Sequence, residues 1–166
     1  MRTGKRTGSA LLEFSLVGVP LIMISISILQ MSIAMWQFYT LQHAIQSSCR
    51  YIVTHSRGCT TNGNTCGLTV GNVASMIAGQ ALALDPGKLN ISLVTAAGTQ
   101  SCNPVNTCNS NGSQFPSSTA NAVDQDVSIT ATYTVTEPLV LFWPGSALVR
   151  GSNFTLGAKT RQRIAF

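Results

Sequence analysis

The sequence predicts an α+β protein in which a long N-terminal transmembrane helix continues into a small domain with a second helix and an antiparallel sheet. Three observations predict this class. No side chain in residues 14–39 carries a formal charge, residues 70–84 have the spacing of an amphipathic helix, and two later stretches alternate apolar and polar residues. At 166 residues, the chain has room for one membrane helix and one modest domain.

The apolar stretch is long enough to cross a bilayer. Residues 16–35 are dominated by Val, Ile, Leu and Met, and a run of about 20 such residues spans the hydrocarbon core. Arg2, Lys5 and Arg6 precede the stretch, whereas its far side carries no charge until Arg50. The positive-inside rule therefore places the N-terminus in the cytoplasm and the folded domain on the other side.

A cleaved secretory signal would also begin with basic residues and an apolar core. Its core is typically about 7–15 residues long, shorter than this stretch. Such a signal has no need of an acidic residue like Glu13 at its start. Small residues around Ala34 leave open a cleavage there, which would release a secreted soluble domain.

A single long helix is predicted from about Ser9 to His55, because this segment has no glycine after Gly18 and one proline, Pro20, where a bend is possible. At 1.5 Å per residue it would measure about 70 Å, more than twice the bilayer core. We therefore expect its outer half to project beyond the membrane. A small or apolar stripe on that half is expected to hold the folded domain. The stripe comprises Leu41, Ala44, Ile45, Ser48 and Ile52.

The first part of the domain is predicted to contain one helix and one strand. Residues 58–67 have the composition of a loop, and residues 70–84 form the second helix, which Pro86-Gly87 ends. Leu89–Thr95 is predicted to be a strand, because its apolar and polar residues alternate. Residues 98–120 are rich in Asn, Ser, Gly and Pro, so we expect a long surface loop with little to bury.

The C-terminal part is predicted to complete the sheet. Residues 127–135 alternate clearly, and this strand should end before Pro138. Residues 139–143 form a short apolar segment that Pro144-Gly145 ends, and residues 153–166 give a weaker final strand.

Five cysteines in an exported domain favour disulfides over reactive thiols. Cys59 and Cys66 bracket one loop and Cys102 and Cys108 bracket another, so two local bridges are the simplest pairing. Connectivity cannot be read from a sequence. Cys49 is left over, and we expect it to be a small buried residue on the helix; pairing with a loop cysteine or with a neighbouring subunit are the alternatives.

No enzymatic activity, metal site or cofactor is predicted. No Ser/His/Asp or Cys/His arrangement can be singled out. His43 and His55 lie on one predicted helix, and His55 is near Cys59 and Cys66 in the sequence, but the CxxC spacing of zinc sites is missing. Asp124 and Asp126 are expected to be solvated at a strand entry, with weak calcium binding as the alternative.

The net charge of +5 does not predict nucleic-acid binding. Three of the basic residues belong to the leader before the apolar stretch. The others are scattered, apart from a short C-terminal cluster that lacks the interleaved aromatic residues of a nucleic-acid platform. We therefore expect no nucleic-acid partner.

The start of the apolar stretch carries the most specific pattern in the chain. Gly8 follows the basic leader, and Glu13 stands among apolar residues in the run Gly-Ser-Ala-Leu-Leu-Glu-Phe. A carboxylate within a membrane segment costs about 3 kcal/mol or more, so it needs a partner or a purpose. The alternative is that Glu13 sits at the headgroup level, close to water. The pattern resembles the type IV prepilin processing site, in which a membrane peptidase cuts after the glycine and glutamate is the fifth residue of the mature chain. Counted from Ser9, Glu13 is fifth.

The chain as a whole resembles the TadE-like family, pseudopilins or minor pilins of the tight-adherence (Flp-type) pilus system. The run from Gly8 to Phe14 is the most specific support. The alternating strand at residues 127–135, Leu-Phe-Trp-Pro at residues 141–144 and Leu-Gly-Ala-Lys-Thr-Arg at residues 156–161 support it less specifically. The resemblance implies a pilin-like fold.

The resemblance also implies how the chain is divided. Residues 1–8 would be a basic prepilin leader, residues 9–56 a transmembrane and stalk helix, and residues 57–166 an extracytoplasmic domain with disulfide-stapled loops. The protein would cross the bacterial inner membrane once, with its C-terminal domain in the periplasm or outside the cell.

The function implied by the resemblance is assembly or capping of a pilus used for surface attachment. A prepilin peptidase would cut between Gly8 and Ser9 at the cytoplasmic membrane face. Other pilins or pseudopilins of the same system would be partners, and Glu13 would pair with the new amine at Ser9 of a neighbouring subunit. No cofactor is implied.

Two other functions stay open. A pseudopilin of a type II secretion-like machine would share the cleavage motif. An uncleaved, signal-anchored binding domain would keep its leader and present its two cysteine loops to a ligand.

Overall fold

The chain folds into helices and one antiparallel sheet. A computed structural model describes residues 7–55, 67–135 and 154–164. These residues contain two α-helices and four strands: α1 (Thr7–Thr54), α2 (Val70–Gln80), β1 (Leu89–Thr95), β2 (Gly98–Cys102), β3 (Asp126–Val135) and β4 (Phe154–Arg163). The strand order is β2-β1-β3-β4, and every neighbouring pair is antiparallel. The predicted α+β class is confirmed.

The described residues belong to two compact units. Residues 7–35 belong to the first, and residues 36–55, 67–135 and 154–164 belong to the second. The predictions for the basic leader, for residues 58–66 with Cys59 and Cys66, and for residues 139–143 lie outside the described residues.

The long helix is confirmed. α1 has 48 residues and contains Pro20. In the second unit, all five residues of the predicted stripe are fully buried: Leu41, Ala44, Ile45, Ser48 and Ile52. Their spacing of three or four residues places them on one side of α1. Each buried Leu or Ile side chain contributes about 1.5–3 kcal/mol, so this side anchors α1 in the core of the second unit.

One face of the sheet is apolar. The register places Ile91 of β1 beside Ala131 of β3, and Ala131 beside Ala158 of β4; all three residues are buried. Successive side chains of a strand point to opposite faces, so Ser92 and Thr130 lie on the other, more polar face. The three predicted strands are therefore confirmed: β3 begins one residue earlier than predicted, and β4 covers residues 154–163 of the predicted 153–166.

The prediction that residues 98–120 form a surface loop with little to bury is wrong. β2 pairs with β1 across a two-residue turn, with Thr95 opposite Gly98. The residues after β2 include a 3-10 helix, Val105–Cys108, and they bury Val105 and Phe115 in the core. The polar composition of the segment obscured these isolated apolar residues.

The second helix is shorter than predicted. α2 ends at Gln80, and Ala83 adopts a left-handed conformation with φ 64°, through which a right-handed helix cannot continue. Leu82 is consequently 68% exposed instead of lying on the apolar face of the helix. At the other end, the Thr69 hydroxyl caps α2 by accepting a hydrogen bond from the Asn72 amide at 3.2 Å.

The start of α2 is held by the segment that follows β2. The Val70 amide donates to the Ser113 carbonyl at 2.8 Å, and the Gly71 amide donates to the Asn111 carbonyl at 2.9 Å. The first amides of a helix have no partner within the helix. The loop therefore supplies the acceptors that the N-terminus of α2 needs.

Candidate functional site

The candidate processing and assembly residues lie in the first two turns of α1. Because α1 begins at Thr7, the bond between Gly8 and Ser9 belongs to the first turn, whose amides have no acceptor within the helix. Ser9 and Glu13 are four residues apart, so their positions lie on the same side of α1, about 6 Å apart along its axis. The Glu13 side chain is exposed.

The helix surface beyond Glu13 is apolar and exposed. Among the described residues, α1 is the one helix that is long and apolar enough to cross a membrane. Its large exposed side chains include Phe14, Leu16, Ile24 and Leu29. Burying each of them would contribute about 1.5–3 kcal/mol, so this surface is stable only when an apolar medium or another helix covers it.

The serines of this apolar surface have their hydrogen bonds satisfied within α1. Each hydroxyl donates to a main-chain carbonyl one turn earlier: Ser15 to Leu12 at 3.0 Å, Ser25 to Leu21 at 2.9 Å, Ser27 to Met23 at 2.9 Å and Ser32 to Ile28 at 2.8 Å. A polar group left without a partner in hydrocarbon is costly. These hydroxyls therefore present no obstacle to a membrane position for the helix.

The predicted bridge between Cys102 and Cys108 is present. The Cα atoms are 5.6 Å apart, and the bridge joins the end of β2 to the end of the Val105–Cys108 helix. Disulfides of this kind persist in oxidising compartments. The bridge thus fits an exported domain and tethers the loop that holds the start of α2.

Cys49 is a free, fully buried thiol, as expected. Its Sγ lies 3.9 Å from the Val127 carbonyl oxygen, where α1 packs on β3. Burial raises the pKa of the Cys49 thiol from 9.0 to about 11. The thiol is therefore a packing group of low reactivity.

Asp124 and Asp126 lie at the entry to β3, as expected, with side chains that are 81% and 30% exposed, and both form ion pairs with β4. Asp126 accepts a hydrogen bond from the Arg161 guanidinium, and Arg163 lies 3.7 Å from a carboxylate oxygen of each acid. The hydrogen bond from Arg161 lowers the pKa of the Asp126 carboxyl. These ion pairs join the start of β3 to the end of β4.

Neither histidine lies in a metal-binding cluster among the described residues, which contain no group of three or more His, Cys, Asp or Glu side chains suited to a metal. The His55 ring stacks on Tyr51 with ring centres 3.8 Å apart, and its Nδ1 lies 3.0 Å from the Tyr51 carbonyl oxygen. His43 lines a groove on the second unit.

That groove was missed by the sequence interpretation. It has a volume of about 400 Å³ and lies along the polar side of α1, beside the end of α2. Its lining includes His43, Gln46, Ser47, Arg50, Tyr51 and Gln80. The α1 side of the groove could have been recognised in the sequence, because polar residues recur at helical spacing at positions 43, 46, 47 and 50. Nothing in the sequence placed Gln80 beside them.

Comparison of the chain with protein-family models, with curated proteins and with solved structures finds no match. The functional interpretation therefore depends on the residues and the geometry given above.

Proposed function

We propose that this protein is a minor pilin or pseudopilin of a tight-adherence, Flp-type pilus, cut after Gly8 and active in assembling or capping the fibre. The observation that carries the proposal is the position of Ser9 and Glu13, one turn apart at the start of α1. The helix that follows them exposes an apolar surface suited to a bilayer or to neighbouring helices.

The first turn of α1 supports processing by a prepilin peptidase at the cytoplasmic membrane face. Cleavage requires that this turn open so that the bond between Gly8 and Ser9 can enter a protease. Gly8 lowers the cost of opening, since glycine is about 1 kcal/mol less favourable than alanine in a helix. The rest of α1 can remain folded while the first turn opens, because helix ends fray independently.

Glu13 would then pair with the amine that cleavage creates at Ser9 of a neighbouring copy. A carboxylate in a membrane segment costs about 3 kcal/mol or more, and a neighbouring amine offsets the desolvation of both ions. Since Ser9 and Glu13 are four residues apart, a neighbouring copy shifted by about 6 Å along the helix axis brings its amine level with Glu13. The charge pair would thereby select one register between subunits.

The second unit supports export. It contains the Cys102–Cys108 disulfide, which belongs to an oxidising compartment. With the basic leader in the cytoplasm, a single pass through the inner membrane would deliver this unit to the periplasm. There it would meet the other pilins or pseudopilins of the system.

The proposal is tested by pilus output in a host of this system that lacks the chromosomal copy. Glu13→Ala and Glu13→Gln should insert in the membrane at the normal level, yet the sheared surface fraction should contain at least tenfold less pilus protein. Ser15→Ala is the matched control, because it changes a polar residue in the same stretch and should leave output normal. Normal output from both Glu13 variants would refute the assembly role, and lost protein secretion with normal pili would favour a type II secretion-like machine.

A further inference from the structure

Among the residues that the structure describes, no carboxylate lies beside Arg50 in its groove. None of the described lining residues is acidic. The described acids of the second unit are engaged elsewhere: Asp124 and Asp126 pair with the arginines of β4, and Asp85 accepts a hydrogen bond from the Gly87 amide at 2.8 Å. Among the described residues, the exposed guanidinium of Arg50 thus has no ion-pair partner.

The other walls of the groove supply hydrogen-bond donors. The fully buried Ser48 hydroxyl donates to Gln80 Oε1 at 3.4 Å, so the Gln80 Nε2 group is left to donate to a ligand. Gln46 and Ser47 add an amide and a hydroxyl on the α1 side. One guanidinium with several neutral donors matches a ligand that presents a carboxylate beside several other oxygen atoms.

From this arrangement we infer that the groove binds a carboxylated saccharide, such as an oligomer of hexuronic acid. One carboxylate of the oligomer fits the planar fork of Arg50 in a bidentate manner. The amide and hydroxyl groups of the walls match sugar hydroxyls. The half-buried Tyr51, which stacks on His55, also lines the groove, and a phenol group can exchange hydrogen bonds with a sugar hydroxyl.

The size and position of the groove favour a saccharide over an acidic peptide or a lipid headgroup. The volume of about 400 Å³ lies within the range of about 300–1,000 Å³ of small-ligand sites. A docked peptide would need a pocket for a large apolar anchor side chain, whereas every described side chain that lines the groove carries a polar group. Arg50 lies 11 residues after Tyr39, the last large exposed apolar residue of α1. These 11 residues span about 16 Å along the helix, which places Arg50 beyond a lipid headgroup layer about 5–8 Å deep. A lipid headgroup is therefore the less suitable ligand.

This inference goes beyond the proposed role in pilus assembly and does not depend on it. The described residues that line the groove all belong to the second unit, whereas processing and charge pairing are assigned to the first turns of α1. Pilus output should therefore be normal when Arg50 is changed, and saccharide binding should be normal when Glu13 is changed.

The test is isothermal titration of the full chain in detergent micelles with trigalacturonate and with its neutral counterpart, galactotriose. We expect trigalacturonate to bind at least tenfold more tightly than galactotriose. Arg50→Gln should weaken its binding at least tenfold, and Gln46→Glu should do the same by placing a carboxylate in the groove. Lys159→Gln is the matched control, because it removes one positive charge from the exposed strand β4 and should leave binding unchanged.

Several results would overturn the inference. They are the absence of trigalacturonate binding to the wild-type chain, equal affinity for the neutral sugar, and equal losses in Arg50→Gln and Lys159→Gln. The groove would be assigned to a protein or lipid ligand instead if a triglutamate peptide, or vesicles containing phosphatidylglycerol, bound more tightly than trigalacturonate and Arg50→Gln abolished that binding.

Discussion

The Cα atom of Gly71 and the carbonyl oxygen of Asn109 approach so closely that no side chain fits between them. A Cβ atom at Gly71 would lie 2.6 Å from that oxygen and 3.1 Å from the carbonyl oxygen of Cys108. The first turn of α2 thus packs directly against the main chain at the end of the disulfide loop. A glycine is required here because of this close approach.

Replacing Gly71 with alanine should therefore destabilise the second unit. The neighbouring atoms belong to the main chain and cannot move aside cheaply, so we expect the free energy of unfolding to fall by about 1–3 kcal/mol. Gly79→Ala is the matched control in the same helix, because nothing lies within 4 Å of the new Cβ atom. Since alanine favours a helix by about 1 kcal/mol over glycine, this control should be neutral or stabilising. Denaturant unfolding of both variants in micelles checks the prediction, which equal effects would refute.

Cys49 should resist alkylation in the folded protein. Raising the pKa of its thiol from 9.0 to about 11 lowers the thiolate fraction at pH 8 by about 100-fold, and burial blocks the reagent as well. Peptide mapping after iodoacetamide treatment should find no adduct on Cys49 in the native protein and an adduct on Cys49 after denaturation without reductant. Rapid native labelling of Cys49 would contradict the packing of α1 on β3 described above.

The ion pairs of Asp126 should stabilise the pairing of β3 with β4 in a pH-dependent way. Because Arg161 lowers the pKa of the folded Asp126 carboxyl, the stabilisation is complete above the unfolded pKa of about 3.9 and is lost as pH falls through the folded value. Asp126→Asn should therefore lower the melting temperature at pH 7, and the difference from wild type should be smaller at pH 2. High salt should shrink the difference at pH 7, since the pair is exposed. A difference that is the same at both pH values would refute this origin.

The elements with a regular period could be predicted from the sequence. The stripe from Leu41 to Ile52 has the helical period and is fully buried, and the alternation in β1 and β3 gave both strands their correct faces. The position of Glu13 relative to Ser9 also follows from helical geometry alone. Periodicity succeeds in these cases because one face of each element is uniformly apolar.

The parts that depend on contacts between distant residues could not be predicted. β2 has four exposed residues among its five and no alternation, so only its pairing with β1 identifies it as a strand. Val105 and Phe115 are single apolar residues in a polar segment, and their burial depends on how the loop packs on α2. The groove beside Arg50 likewise needs Gln80, which lies 30 residues away in the sequence.

The most direct test of the pilin assignment is the N-terminal sequence and intact mass of the membrane-extracted protein, produced with and without an active prepilin peptidase of a tight-adherence system. We expect a chain that starts at Ser9 when the peptidase is present and a chain that retains its leader when it is absent. A substitution of Gly8 by leucine should block the cut, and Gly18→Ala should not affect it. A chain that keeps Met1 in the presence of a peptidase shown to process its own pilin, or one that starts after Ala34, would contradict the assignment.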